Sequence, residues 1–182
     1  CLYLLLDMMK EEAWSTRQTA LLGILAGGLP LIHTHSFLAL GLASLGFLAH
    51  GLLRKKPWKT LLLYGLIAAA LALPQLLAFT FRQAGSEGFL RFQFNWVNNA
   101  GGRGLKDLYL WFYVKNIGLP FLLLLFALFE KEAWHRRLFT GAFAVFMVAE
   151  FILFQPNEYD NNKLFYVWWA LCAMPVADYA FK

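Results

Sequence analysis

Charge is missing from long stretches of this chain. Between Gln18 and Leu53 there is no Asp, Glu, Lys or Arg, a run too long for a single membrane span of about 20 residues. Gly27-Gly28-Leu29-Pro30 and His33-Thr34-His35-Ser36 interrupt it, so it predicts two short helices meeting at a polar bend. A second charge-free run, Thr60 to Phe81, predicts a span with Pro74 inside it. Leu108 to Phe129 predicts the next span although Lys115 and Asn116 fall within it, Leu138 to Phe154 predicts another holding Glu150, and Leu164 to Ala177 opens a last helix. Short polar segments separate these runs: Arg54-Lys55-Lys56-Pro57-Trp58-Lys59, the charged turn Glu130 to Arg137, and the loop Gln155 to Lys163. The longest, Arg82 to Asp107, is glycine-rich and carries Phe89, Phe92, Phe94 and Trp96, residues suited to the headgroup level of a bilayer. The expected architecture is all-α, a polytopic transmembrane bundle of about five to six helices, several of them short or broken by proline.

Composition agrees. The chain is 60% hydrophobic and 15% charged, whereas soluble domains average roughly 45–50% apolar and about 25% charged residues. Residues 1–182 read as a fragment of one transmembrane domain, because Cys1 to Leu6 resembles the tail of an apolar segment already under way, with the protein's N-terminal part upstream. Cys1 and Cys172 are too few and too distant for a disulfide framework or a zinc site, and nothing has the form of a signal peptide. The net charge of +5 reflects cytoplasmic Lys and Arg rather than a nucleic-acid partner. One predicted face collects ten Lys and Arg residues between Lys10 and Lys182, and the other only Arg82, Arg91, Arg103, Lys106 and Lys163. The first face is therefore assigned to the cytoplasm. The His33 bend and both polar loops then lie on the extracytoplasmic side of an integral membrane protein, expected in the plasma membrane of a prokaryote.

Three groups of residues invite chemistry. His33 and His35 sit between apolar stretches, where an imidazole needs a cavity, a partner or the interface; they either hydrogen-bond backbone at a helix end or contact substrate. No metal site is expected there, since further ligands are lacking. Lys115 and Glu150 are full charges inside predicted spans, roughly 10 Å and 7 Å from the same face at 1.5 Å rise per residue. They are expected to pair, or else Lys115 with Asn116 binds an anionic lipid phosphate. The loop ending Glu158-Tyr159-Asp160-Asn161-Asn162-Lys163 is the densest polar cluster. Asp160 or Asn161 suits the N-cap of the last helix, and Asn161, Asn162 and Lys163 at a helix start suit an anion; Glu158 and Asp160 suit sugar hydroxyls or a cation. Phosphate-loop and dinucleotide motifs are absent.

Gly28-Leu29-Pro30-Leu31-Ile32-His33-Thr34-His35-Ser36-Phe37-Leu38, Lys115-Asn116-Ile117-Gly118, and Phe154-Gln155-Pro156 through Asp160-Asn161-Asn162-Lys163 together resemble the later transmembrane part of a GT-C-type polytopic membrane glycosyltransferase. That class takes a sugar from a polyprenyl-phosphate carrier. The resemblance implies an active site at the extracytoplasmic membrane surface, with the bilayer and a polyprenyl-phosphate-linked sugar as partners. It implies substrate contacts from His33, His35, Lys115, Asn116, Glu158, Asp160, Asn161 and Lys163, and it leaves room for a divalent cation in the full-length protein. The catalytic acid of that class lies in a loop nearer the N-terminus, so no catalytic residue is carried over to this chain. Two other readings stand beside it: a transporter or flippase segment with Lys115, Glu150 and the histidines along a path, and a non-catalytic membrane subunit docked through its aromatic loop.

Overall fold

The computed structural model describes residues 1–10, 14–54, 58–81, 90–99, 102–130, 132–154 and 158–182, the side chains of Glu158 and Tyr159 excepted. Lys55 to Pro57, Arg82, Phe89 and Gln155 to Asn157, named above, lie outside the described residues. Internal contacts gather the chain into two compact units, Cys1–Ser86 and Glu87–Lys182.

The first unit is helical. Helix α1 spans Leu2–Lys10 and α2 spans Thr16–Gly27. Ser15 opens α2 with a reciprocal cap: its Oγ accepts from Gln18 N while its own N–H donates to Gln18 Oε1, satisfying two donors that a helix start leaves open. A one-turn helix, α3 (Leu29–Ile32), follows Gly28, and α4 (Thr34–Leu53) starts after His33. The long charge-free run is thus broken at its polar bend, as its pattern predicts. Helix α5 (Lys59–Gln75) continues as a π-helical turn, Leu76–Thr80. Pro74 lacks an N–H and its ring crowds the preceding turn, and the widened turn follows it directly.

Helix α2 lies hard against α5. A Cβ on Gly23 would sit 2.8 Å from Ile67 Cβ, and one on Gly27 would sit 2.7 Å from Leu71 Cβ. Two glycines four residues apart on one helix face are what such a close approach requires, since any side chain would hold the backbones apart. Gln75 Nε2 donates to Gly27 O at 2.9 Å, taking up a carbonyl that the end of α2 leaves open. Outward, α5 and its π-helical turn present Leu66, Leu73, Leu77 and Phe79, all more than half exposed. An apolar helix with apolar side chains on its open face belongs in lipid.

The second unit holds a two-stranded antiparallel ribbon that the all-α expectation omits, β1 (Arg91–Phe92) pairing with β2 (Ile152–Leu153). Its helices are α6 (Tyr109–Ile117), α7 (Leu119–Ala127), α8 (Ala133–Phe151) and α9 (Asn162–Ala180), the last preceded by a 3₁₀ turn, Glu158–Asn161. The predicted span from Leu108 to Phe129 is broken: α6 and α7 meet at 118°. Gly118 stands at the corner with φ 79° and ψ −148°, a conformation open in practice to glycine alone. Across the described residues the helices are more numerous and shorter than the five to six expected. Two, Thr34–Leu53 and Lys59–Thr80, are long and apolar enough to cross a membrane, or three if the bent α6–α7 pair counts as one span. The protein is therefore mainly helical with the makings of a membrane bundle.

Candidate functional site

The end of α8 organises the second unit's polar interior. A helix that stops leaves its last carbonyls without partners, and here four consecutive ones are met from outside. Trp96 Nε1 donates to Ala149 O at 3.0 Å, Asn95 N to Glu150 O at 3.0 Å, Gln93 N to Phe151 O at 2.9 Å, and Asn161 Nδ2 to Ile152 O at 2.8 Å. The segment Gln93 to Asn99 is thereby stapled to α8. Asn95 makes the turn that allows this, with φ at 48°, a left-handed conformation that asparagine tolerates better than most residues. Further along, Asn98 clamps Asp107 from both sides, accepting from Asp107 N and donating to Asp107 O at 2.9 Å each.

Stapling brings side chains as well as backbone to Glu150. This carboxyl is completely buried. Asn95 Nδ2 donates to its Oε1 at 2.7 Å, Tyr113 Oη donates to its Oε2, and Tyr109 also reaches it. Around it lies a cavity of about 320 Å³, at the small end of the roughly 300–1,000 Å³ typical of ligand sites. Asn95, Tyr113, Asn116, Glu150 and Asn162 give it polar edges; Trp96, Phe112, Phe165, Tyr166 and Trp168 give it ring faces. No Lys, Arg or His stands among its described lining residues. Asn95 is 2% exposed, and its Oδ1 is buried without a hydrogen-bond donor among the described residues.

The expected pairing of Lys115 with Glu150 is corrected. Lys115 Nζ binds Asp107 instead, at 2.9 and 3.1 Å to the two carboxylate oxygens, and is half-exposed. Glu150 has its hydrogen bonds from neutral partners. Depth along a helix does not fix the direction in which a side chain points, and Asp107, eight residues before Lys115, is the acid within reach. Trp96 also departs from its expected interfacial role. It is buried, whereas Phe92 is 77% exposed and Phe94 stacks on Tyr109 with ring centroids 5.3 Å apart.

The other expected substrate contacts fall as follows. His33 caps α4, its Nδ1 accepting from Ser36 N at 3.2 Å, and its ring lies 5.7 Å from that of the buried His35. Both belong to the first unit. Asn116 lines the cavity while its Nδ2 donates to Phe112 O at 2.7 Å. Asp160 and Lys163 bind each other at 2.8 Å. Asn161 stands at the N-cap position of α9 without a capping side-chain bond; its carboxamide instead accepts from Phe154 N and donates to Ile152 O. Glu158's side chain lies outside the described residues. Tyr113, Asn95 and Trp96 complete the cavity without a site signal in the sequence pattern: the run Asn95-Trp96-Val97-Asn98-Asn99 reads equally as a loop, and Tyr113 lies inside an apolar helix.

A second polar cluster joins α8 and α9 at their other ends. Lys182 Nζ lies 2.6 Å from Glu132, 2.9 Å from Asp178 and 3.2 Å from Glu130, and the buried His135 Nε2 is 3.2 Å from Asp178. The hydrogen bond from Lys182 holds the Asp178 carboxyl below the usual carboxylate range, and Glu132 and Asp178 hold the Lys182 ammonium above its ordinary value. With the geometry in place, comparison with known proteins adds no relative: no protein-family model, no curated protein and no solved structure matches this chain.

Proposed function

We propose that this chain is the later transmembrane part of a membrane glycosyltransferase that draws a sugar from a lipid-phosphate carrier at the extracytoplasmic face, and that the cavity beside Glu150 seats the glycosyl portion. One observation carries the reading: ring faces and planar polar edges share one small cavity within an apolar, mainly helical chain. A pyranose offers C–H faces that pack on aromatic rings and hydroxyls at its rim that need carboxyl and carboxamide partners, which Glu150, Asn95, Asn116 and Asn162 present. Lys115 and Lys163 stand one residue from the lining residues Asn116 and Asn162. Each is partly exposed and, among the described residues, paired with one acid, so a carrier phosphate at the rim competes with Asp107 or Asp160 for them. In the transfer itself the bond from the anomeric carbon to the phosphate oxygen breaks, one to an acceptor oxygen forms, and the acceptor's proton leaves; positioning is this region's part in it.

A transporter reading has its own support in the 118° break at Gly118, because discontinuous helices frame many transport sites. Full-length protein in proteoliposomes with radiolabelled polyprenyl-phosphate sugar separates the two. The proposal expects cleaved carrier and labelled acceptor, both reduced by Asn162→Ala and Tyr166→Ala. Intact carrier appearing in the opposite leaflet, with no cleavage, contradicts it and favours transport.

A further inference from the structure

We infer that the group seated beside Glu150 carries an ammonium: the cavity is built for an amino-substituted ligand rather than for a neutral polyol. The inference rests on the reading of this cavity as a glycosyl seat and narrows it. A fully buried carboxyl ordinarily has a cation beside it or stays neutral, since an unpaired charge away from water is unfavourable. Glu150 has no ion-pair partner among the described residues, and its hydrogen bonds come from a carboxamide and phenols. Asn95 Oδ1 adds a second acceptor that is buried and has no donor among the described residues. Both side chains stand in the wall of the cavity, and its described lining supplies no positive charge to meet them.

An ammonium has the complementary form: three donors and no acceptor. Its charge balances Glu150 once the carboxyl proton has left to solvent, one N–H reaches a Glu150 oxygen, and another reaches Asn95 Oδ1. The walls suit it too. Tyr113 and Trp168 form an edge-to-face pair at 6.0 Å, Trp168 also contacts Phe165 edge-to-face at 6.0 Å, and all three rings line the space, the side-chain type that cation–π sites use. A hydroxyl brings a single donor for the two acceptors and leaves the carboxyl protonated. A phosphate would face Glu150 directly and belongs at the rim. Lys115 and Lys163 already bind acids and sit among exposed surfaces, so neither stands in for the missing cation.

The test uses full-length protein in nanodiscs and isothermal calorimetry with three hexyl glycosides differing at one position: 2-amino-2-deoxyglucoside, its N-acetyl derivative and the parent glucoside. Hexylamine is the fourth probe. The amino glycoside should bind about tenfold or more tighter than the other two glycosides, as a charge-assisted hydrogen bond implies, and Glu150→Gln should abolish the difference. Equal binding of the three glycosides overturns the ammonium inference and leaves the glycosyl seat standing. Hexylamine binding as tightly as the amino glycoside supports the ammonium and counts against the sugar. No binding by any probe overturns both. The ligand series needs only the unaltered protein, so a misfolded variant does not remove the test.

Discussion

Asn161 was expected at the substrate, and the structure gives its carboxamide a different task, which Asn161→Ala tests. Asn161 is fully buried, accepts from Phe154 N at 3.2 Å and donates to Ile152 O at 2.8 Å. Alanine removes both bonds and leaves a backbone N–H and a carbonyl without partners beside β2. Each orphaned buried group costs about 1–3 kcal/mol; with Ile152 and Phe154 both only partly buried, the sum is about 2–4 kcal/mol. The second unit spans Glu87–Lys182, a size for which about 1 kcal/mol shifts the melting temperature by roughly 4–8 °C. Thermal unfolding of the full-length protein in detergent should therefore show a drop of about 10 °C or more, with Asn161→Asp no better, because its carboxylate would face the Ile152 carbonyl. An Asn161→Ala protein that melts unchanged but no longer binds a lipid-linked sugar would refute the structural role and return Asn161 to the substrate.

Gly27→Val should separate α2 from α5, since even the first added carbon meets Leu71 Cβ at 2.7 Å; a loss of about 1–3 kcal/mol, read by thermal unfolding, is expected, and an unchanged melt would mean the helices do not pack this closely. Gly118→Ala forces a Cβ onto a backbone with φ 79° and ψ −148° and should destabilise by about 1–3 kcal/mol, seen as faster hydrogen exchange through α6 and α7; unaltered exchange would contradict the sharp corner. Acidification should loosen the junction of Lys182 with Glu130, Glu132, Asp178 and His135. Asp178 is held below its ordinary carboxylate value, so its contribution is present above that ordinary value and disappears as pH falls through the lowered one. Lys182 is held above its own ordinary value, so its share persists through neutral pH and fades only in strong alkali. Amide exchange at Tyr179 and Ala180 should therefore be flat across the neutral range and rise, relative to the intrinsic rate, only at strongly acid pH; a rise already near neutrality would show that this pairing does not hold the helix end.

Local features were the ones legible along the chain. Absence of charge marked the two long apolar helices, the glycine–proline and histidine punctuation marked the breaks around α3, and Pro74 marked the disturbed end of α5. Each depends on residues within a turn or two of one another. The site depends on residues far apart: Asn95 and Trp96 reach α8 across more than fifty positions, and no periodicity encodes that contact. Asn116 and Glu150 stood out as polar residues in apolar surroundings, and both line the cavity. Tyr113 did not stand out, because a tyrosine in a membrane helix reads as an aromatic anchor until its hydroxyl is seen on a buried carboxyl. Gly118 was visible as a residue but not as a 118° corner, since a glycine inside an apolar run predicts tolerance of a bend rather than its angle.

The most direct test of the account is photo-crosslinking of a polyprenyl-phosphate sugar bearing a diazirine on its sugar ring to the full-length protein in membranes, with the attachment site mapped by peptide mass spectrometry. Attachment within Asn95–Val97 or Asn162–Trp168, suppressed by excess unlabelled carrier, is the predicted result. Saturable attachment confined to other segments, with these two unlabelled, would contradict the assignment of the Glu150 cavity as the glycosyl seat.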